Sequence, residues 1–326
     1  MTVMEREVAE QGGPAQRPPS VLVAVLWSVT AVLAAVTLVG FAAPLGWAAD
    51  LLVAFRPHYA VAGAVCLAGM AARRRWVGVL VAAGVVAANA AVIAPLWLDM
   101  PAPALTVLWH NVGDQVGEGR VPDLADTIID TDVAILGRVD ADVVQALDAG
   151  ETLPHDLVYH DPGVGLVVLA RVPVTGIRPV GPLPAGTRDT AVAFDAELAA
   201  GRSVAVLAMH TMSPRTPRRA AVRDAELAVA ASWAGAQAGP AVVVGDLNTP
   251  PWSRQLRALA RAGGLHDSSR GFQPTWPAPL GLVGVPIDHA LHSPDLAVVS
   301  RTTGPGLGAR HRSVRVTVAP TEPAPR

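Results

Sequence analysis

Gly245-Asp246-Leu247-Asn248-Thr249-Pro250-Pro251-Trp252-Ser253 is the stretch on which the reading of this chain turns. Ala241-Val242-Val243-Val244, entered through Gly239-Pro240, leads into it as a short apolar, β-branched run, which predicts a buried strand. Ser253 can cap a helix that carries Leu256, Leu259 and Ala260 on one face, and Gly263-Gly264 ends that helix. Asp246 and Asn248 therefore stand where a buried strand opens into a loop. A carboxylate and an amide two apart at such a place can face one ligand, one taking a proton and the other holding an oxygen. A turn closed by local side-chain to backbone hydrogen bonds is the plainer reading of the same pair.

Working outward, the same arrangement recurs. Asn111 ends the apolar run Val107-Leu108-Trp109-His110, and His210 ends Val206-Leu207-Ala208-Met209. Asp288-His289 lies in Pro286-Ile287-Asp288-His289-Ala290-Leu291, and His311 follows Gly308-Ala309-Arg310. Each alone reads as readily as a structural residue; five such features, each at the edge of an apolar strand, read together as one site. Runs at Leu105–Trp109, Asp132–Leu136, Gly165–Ala170, Ala191–Phe194, Val204–Met209 and Ala241–Val244 predict strands. Pro122–Asp130 and Pro217–Trp233 predict helices, the second with Thr216 as cap and Pro217 at its first position. Strands interleaved with helices over residues 104–319 argue for one α/β domain, with a disordered tail at 320–326.

The first hundred residues read differently. An apolar fraction of 51% and a mean hydropathy of +0.38 are high for a soluble protein. Three apolar runs, at about 20–41, 51–72 and 76–98, each match a bilayer core in length and predict transmembrane helices. Trp76 and Trp97 would anchor the third at the interfaces, and Arg56 and His58 would snorkel at the start of the second. Arg73-Arg74-Arg75, between the second and third runs, belongs in the cytoplasm by the positive-inside rule, together with the 1–19 tail. Three spans and a linker at 99–103 then put the C-terminal domain outside, so that the protein is a multi-pass protein of the plasma membrane. The formal charge of −2 and the lack of a basic stripe with interleaved aromatics argue against nucleic acid as partner. All 25 basic residues are arginine, which reads as codon bias, and the lone Cys66 excludes a disulfide framework.

Gly245 to Ser253, with Thr275-Trp276-Pro277 and Pro286-Ile287-Asp288-His289, resembles the endonuclease/exonuclease/phosphatase superfamily of metal-dependent phosphoesterases. It is similar in particular to a membrane-anchored actinobacterial branch that includes the vancomycin- and teicoplanin-resistance J-type proteins. The resemblance implies an α+β chain: a three-helix anchor followed by a four-layer sandwich, two β-sheets face to face with helices outside. It implies catalytic roles for Asp246 (activating or placing the attacking water), Asn248, His210, His311 and Asp288, which orients His311. Asn111 would contact phosphate. The resemblance also implies a magnesium ion, yet Arg138 follows the second strand where the family has its metal-binding glutamate. Arg310 likewise stands where the family has an aspartate, in Ala309-Arg310-His311. Arg138 and Arg310 are therefore read as phosphate-binding forks and no residue is assigned as a metal ligand; Asp114, Asp140 and Asp267 are the other carboxylates within reach of such a role. The expected function is a phosphoesterase, leaning to a hydrolase, that acts on or binds a phosphorylated or pyrophosphorylated envelope lipid or precursor. An inactive phosphate-binding sensor and a nuclease are the alternatives.

Overall fold

The computed structural model describes residues 21–41, 46–93, 105–113, 117–149, 153–187, 191–198 and 202–321. The N-terminal tail, the 99–103 linker, Trp97, Asp114 and residues 322–326 lie outside the described residues.

Two six-stranded sheets pack face to face. In the first, the spatial order is β11 (Leu296–Thr303), β12 (Val314–Pro320), β1 (Leu105–Asn111), β2 (Val133–Gly137), β4 (Leu166–Ala170) and β3 (Asp156–Asp161). In the second it is β5 (Val174–Pro179), β6 (Ala191–Glu197), β7 (Ser203–His210), β8 (Ala241–Asp246), β10 (Asp288–His292) and β9 (His266–Asp267). The apolar runs are continuous because both faces of each central strand are covered. Val107, Trp109 and Ile135 meet Phe194, Val206 and Val244 between the sheets. Leu108, Ala134 and Leu136 turn the other way, against Leu124 and Val143 of two outer helices, Val121–Ile128 and Ala141–Ala149. On the far side, Leu207 and Val243 pack under Leu227, Leu256 and Leu259 of helices Pro217–Gly235 and Arg254–Gly263. The result is four layers, sorted by the two-residue period of the strands.

The helix caps stand where the sequence predicts. Thr216 accepts from the Arg219 N–H at 3.3 Å and Ser253 from the Leu256 N–H at 3.0 Å, while Gly264 closes the second helix in the left-handed region. At the C-terminal end β12 runs to Pro320, where the predicted tail begins, and Thr321 N–H donates to the Asp295 carbonyl at 2.9 Å.

Register converts these strands into a site. β7 and β8 are parallel with His210 opposite Asp246, and β8 and β10 are antiparallel with Asp246 opposite Asp288. In the facing sheet Asn111 is opposite Gly137, which places Arg138 one residue beyond. Gly245 makes the close approach possible, since a Cβ there would lie 1.7 Å from the Met209 carbonyl oxygen. Gly245→Ala must push β7 and β8 apart. Its expected cost is about 3 kcal/mol, read as a melting midpoint lowered by about 8 °C; an unchanged midpoint would show that the strand pair yields without strain.

At the N-terminal side, α1 (Val21–Phe41) and a later helix, Trp76–Ile93, are long and apolar enough to cross a membrane. Between them the predicted second span is broken: α2 (Trp47–Val53) meets α3 (Arg56–Ala72) at 60°, so the described residues hold two candidate spans, or three if the bent pair counts as one. With Trp76–Ile93 as α4, the faces of α1, α3 and α4 expose Val21, Val61 and Leu80 at 81%, 68% and 72%, as expected of lipid-facing surfaces. The snorkelling expected of Arg56 is corrected here. Its guanidinium is buried over the Phe41 ring at 4.3 Å and donates to Asn89 Oδ1 at 3.3 Å. Asn89 in turn donates to Thr37 Oγ1 at 2.9 Å. A side chain that starts at the bend points into the bundle, where an amide and an aromatic face replace water. His58 is half-buried against Phe55 and Phe272, whose rings lie 5.8 and 5.6 Å away.

Candidate active site

Asp246 is the centre. Its Oδ2 accepts from Asn111 Nδ2 at 2.9 Å and lies 3.3 Å from His210 Nε2 and 3.7 Å from His311 Nε2. Its Oδ1 accepts the Asn248 N–H at 3.1 Å, the Asx turn anticipated for this loop, with Asn248 at φ 48°. Asn248 Nδ2 donates to the Thr211 carbonyl at 2.9 Å, so the amide also ties the end of β7 to the end of β8. Asp288 is fully buried and accepts from His311 Nδ1 at 2.9 Å on one oxygen and from Trp109 Nε1 at 2.9 Å on the other.

These contacts set the charges. Burial alone would raise the Asp246 carboxyl, but His311, His210 and the Asn111 amide outweigh it and hold it down at about 2. Burial pulls the His311 imidazole down, whereas Asp288 and Asp246 raise it above 6.5 on balance. Neighbouring His110 is pushed by burial down to about 4, although its bond to the His311 carbonyl and the charge of Asp288 act to raise it. His311 therefore contributes stability that is full below pH 6.5 and is lost as pH rises through its raised value. Asp246 contributes stability present above pH 3.8 and lost as pH falls through about 2. Sulfate keeps its charge across this range, so its affinity should fall as pH rises past the His311 value. A sulfate affinity that stays level from pH 6 to pH 9 would mean that the imidazolium does not face the anion.

Asn111, His210, Asp246, Asn248 and His311 line one cleft of about 710 Å³, and Arg138 and Arg310 line it as well. Both arginines are exposed, and Arg138 sits at φ 60°, a conformation that costs an L-residue about 1 kcal/mol. Neither side chain makes a hydrogen bond or ion pair among the described residues. Arg215 and Arg219 stand on the same rim.

Asp246, Asp288 and His311 offer one ligand atom each within 4.8 Å, a candidate three-donor metal site. These donors suit magnesium poorly. Both Asp288 oxygens accept N–H bonds, and Asp288 does not line the cleft. Asp246, whose own oxygens accept from Asn111 and Asn248, is therefore the one carboxylate of the three donors that can meet a hard cation there, and such a cation prefers an all-oxygen octahedron. Asp140 and Asp267 do not line the cleft. Asp267 is instead turned towards His289, 3.7 Å away, and accepts from the Ser269 N–H. The structure thus joins Asn111, Arg138, His210, Asp246, Asn248, Arg310 and His311 around one space, with Asp288 behind His311.

Sequence reasoning missed Trp109 and two more distant residues, Arg223 and Asp50. The one available signal was that a tryptophan in a buried strand must find an acceptor for its indole N–H. Arg223, buried in helix Pro217–Gly235, donates to the Asn248 carbonyl at 2.9 Å and to Asp50 Oδ2 of α2 at 3.3 Å.

Comparison with known proteins agrees with this architecture. No curated protein sequence matches the chain. Among solved structures, an endonuclease/exonuclease/phosphatase from Beutenbergia cavernae DSM 12333 is 21% identical with a TM-score of 0.54, over 67% of this chain and 72% of that one. A mannosyl-6-phosphatase of Bacteroides thetaiotaomicron VPI-5482 is 15% identical with a TM-score of 0.53, over 66% and 99%. The human Nocturnin catalytic domain with bound sulfate is 17% identical with a TM-score of 0.51, over 68% and 97%. At these identities the likeness is one of fold. The model of the endonuclease/exonuclease/phosphatase family matches residues 108–318, which include every residue of the cleft from Asn111 to His311, and the chain belongs to that family.

Proposed function

We propose that the protein is a membrane-anchored phosphoesterase that acts on a phosphorylated or pyrophosphorylated lipid or envelope precursor at the outer membrane surface. The observation that carries this reading is the cleft itself, where Asp246, His210 and His311 share one space with two arginines that have no partner among the described residues, beside the helices that lead into the membrane. In this scheme Asp246 orients a water on phosphorus and takes its proton as the new P–O bond forms. The bond to the leaving oxygen breaks as the charge that develops is met by protonated His311, Arg138 and Arg310. A carboxylate held near 2 is a weak resting base, so its main part is orientation. Orientation across the membrane is supported by position. α3 starts beside the domain, where His58 meets Phe272, and its 17 residues from Arg56 to Ala72 run about 25 Å before Arg73-Arg74-Arg75. The domain and the basic triplet thus lie at opposite ends of the helix, and the positive-inside rule assigns the triplet to the cytoplasm.

Phosphate release from an isoprenyl diphosphate by the full chain in lipid nanodiscs tests the reading. Turnover that survives a chelator assigns the charge stabilisation to the arginines, and turnover that needs magnesium assigns it to a metal. Binding without turnover would favour an anion-binding sensor, a reading supported by the complete engagement of Asp288. An alkaline phosphatase reporter fused after Arg326 should be active, because it works only outside the cytoplasm; an inactive one would place the domain inside.

A further inference from the structure

The cleft is not made by the family domain alone. Asp50, Leu51, Ala54 and Phe55, from α2 and the bend that follows it, line the same space as His210, Asp246 and Arg310. Leu51 and Phe55 are 40% and 42% exposed, an apolar strip in the same cleft as Val285 and Ile287 of the domain. Two ties hold the strip in place, and both begin in the loop that carries Asp246. Trp252 Nε1 donates to the Val53 carbonyl. Arg223 spans the remaining gap, with one nitrogen on the Asn248 carbonyl at 2.9 Å and another on Asp50 Oδ2 at 3.3 Å. Asp50 and Arg223 are 4% and 2% exposed, so the pair is out of water, where a broken ion pair is costly. Around this seam Trp252 and Phe272 of the domain pack with Val53, Val92 and Ile93 of the membrane helices.

Deepening the phosphoesterase reading, on which it rests, we propose that the broken membrane segment completes the substrate cleft. Leu51, Ala54 and Phe55 form an apolar subsite for the hydrocarbon next to the phosphate of a phosphorylated amphiphile. Asp50 and Arg223 are positioning residues that keep the subsite in register with the Asp246–Asn248 loop. The physical basis is continuity. A chain anchored in the bilayer reaches the cleft along the surface of the helices that cross it, and its anionic end meets Arg138, Arg310 and His311. The bend supplies this wall: a straight second span would carry residues 51–55 past the domain instead of across the mouth of its site. A domain cut away after residue 104 would keep its anion-binding groups and lose one side of the cleft.

The test uses the full chain in nanodiscs and measures dissociation constants for inorganic phosphate, butyl phosphate and dodecyl phosphate by calorimetry. Wild-type protein should bind dodecyl phosphate about a hundredfold more tightly than phosphate, as four or so methylenes leaving water would give. The ratio should fall to about tenfold in Leu51→Ser/Phe55→Ser. Partition of the probe into the disc is common to both proteins and cancels in the comparison. Asp50→Asn, which leaves both apolar side chains in place, should also lower the ratio, and Asp50→Glu should restore it. A loss of general stability alone would move all three phosphates together. If the double variant does not fold, Asp50→Asn and Asp50→Glu carry the test. A chain-length ratio near one in wild type, or one that is unaltered in the variants that fold, overturns the subsite while leaving the phosphoesterase reading in place. Failure of wild-type protein to bind any of the three phosphates overturns both.

Discussion

Asp246→Asn is expected to slow phosphoester hydrolysis by about a thousandfold, within the range that a lost general base or water-orienting group gives, while phosphate binding holds or tightens. The substitution keeps the shape of the side chain. Asn111, the Asn248 N–H and His210 retain a neighbour of the same size at 2.9, 3.1 and 3.3 Å. What disappears is one negative charge in a buried position, and with it the repulsion of an anionic substrate and the acceptor for the proton of the attacking water. Asp288 continues to orient His311 through Nδ1, so the imidazole stays in place. The measurement pairs turnover of an isoprenyl diphosphate with phosphate affinity by calorimetry. A fall in turnover of less than tenfold would place water activation on another group, and His210 would be the next candidate.

The second large effect concerns the arginines. Arg138→Glu combined with Arg310→Asp is expected to create magnesium binding in the cleft and a magnesium-dependent phosphoesterase activity above that of the parent. The native pair brings about +2 to the mouth of the site and the double variant about −2. That added charge is the oxygen-donor character that the present set lacks, since Asp288 is occupied by Trp109 and His311. Either single change leaves one guanidinium beside the cation, so the two effects should be strongly non-additive. Calorimetric titration with magnesium reads the binding directly, and a melting curve shows that the variant is folded. A folded double variant that takes up no magnesium would mean that the two arginines do not stand at the metal positions of the family.

What could be read locally was read correctly in kind. The strand at Ala241–Asp246, the caps at Thr216 and Ser253, and the left-handed stop at Gly264 each depend on a few neighbouring residues and on periods of 2 or 3.6. The polar residues that end the apolar runs carried the site for the same reason: a buried strand tolerates a carboxylate or imidazole only where it opens at an edge. Arg138 and Arg310 were singled out by the family resemblance, which expects metal carboxylates at those two positions, and both line the cleft. Orientation was the part that failed. Arg56 was read as snorkelling because a charged residue near the end of an apolar run has water close by. Its true partners, Asn89 and the Phe41 ring, come from other helices, and nothing near residue 56 announces them.

The amino-acid sequence by itself determined the elements, their amphipathic or fully apolar character, the edge positions of Asn111, His210, Asp246 and Asp288, and the apolar length of the anchor. Only the tertiary structure decided which of these meet. Trp109 reaches Asp288 across 179 residues and Arg223 reaches Asp50 across 173, pairings that arise when two sheets close on one another and a helix docks on their rim. No local pattern encodes such a contact, because its free energy comes from burying both partners at once, and each residue alone is compatible with a solvated side chain. The bend at Ala54-Phe55 is of the same kind in its direction, though not in its place. Pro57, in the first turn of α3, is a local mark of where one helix stops and the next begins, but the direction of the turn comes from the contacts of Val53 with Trp252 and of Asp50 with Arg223.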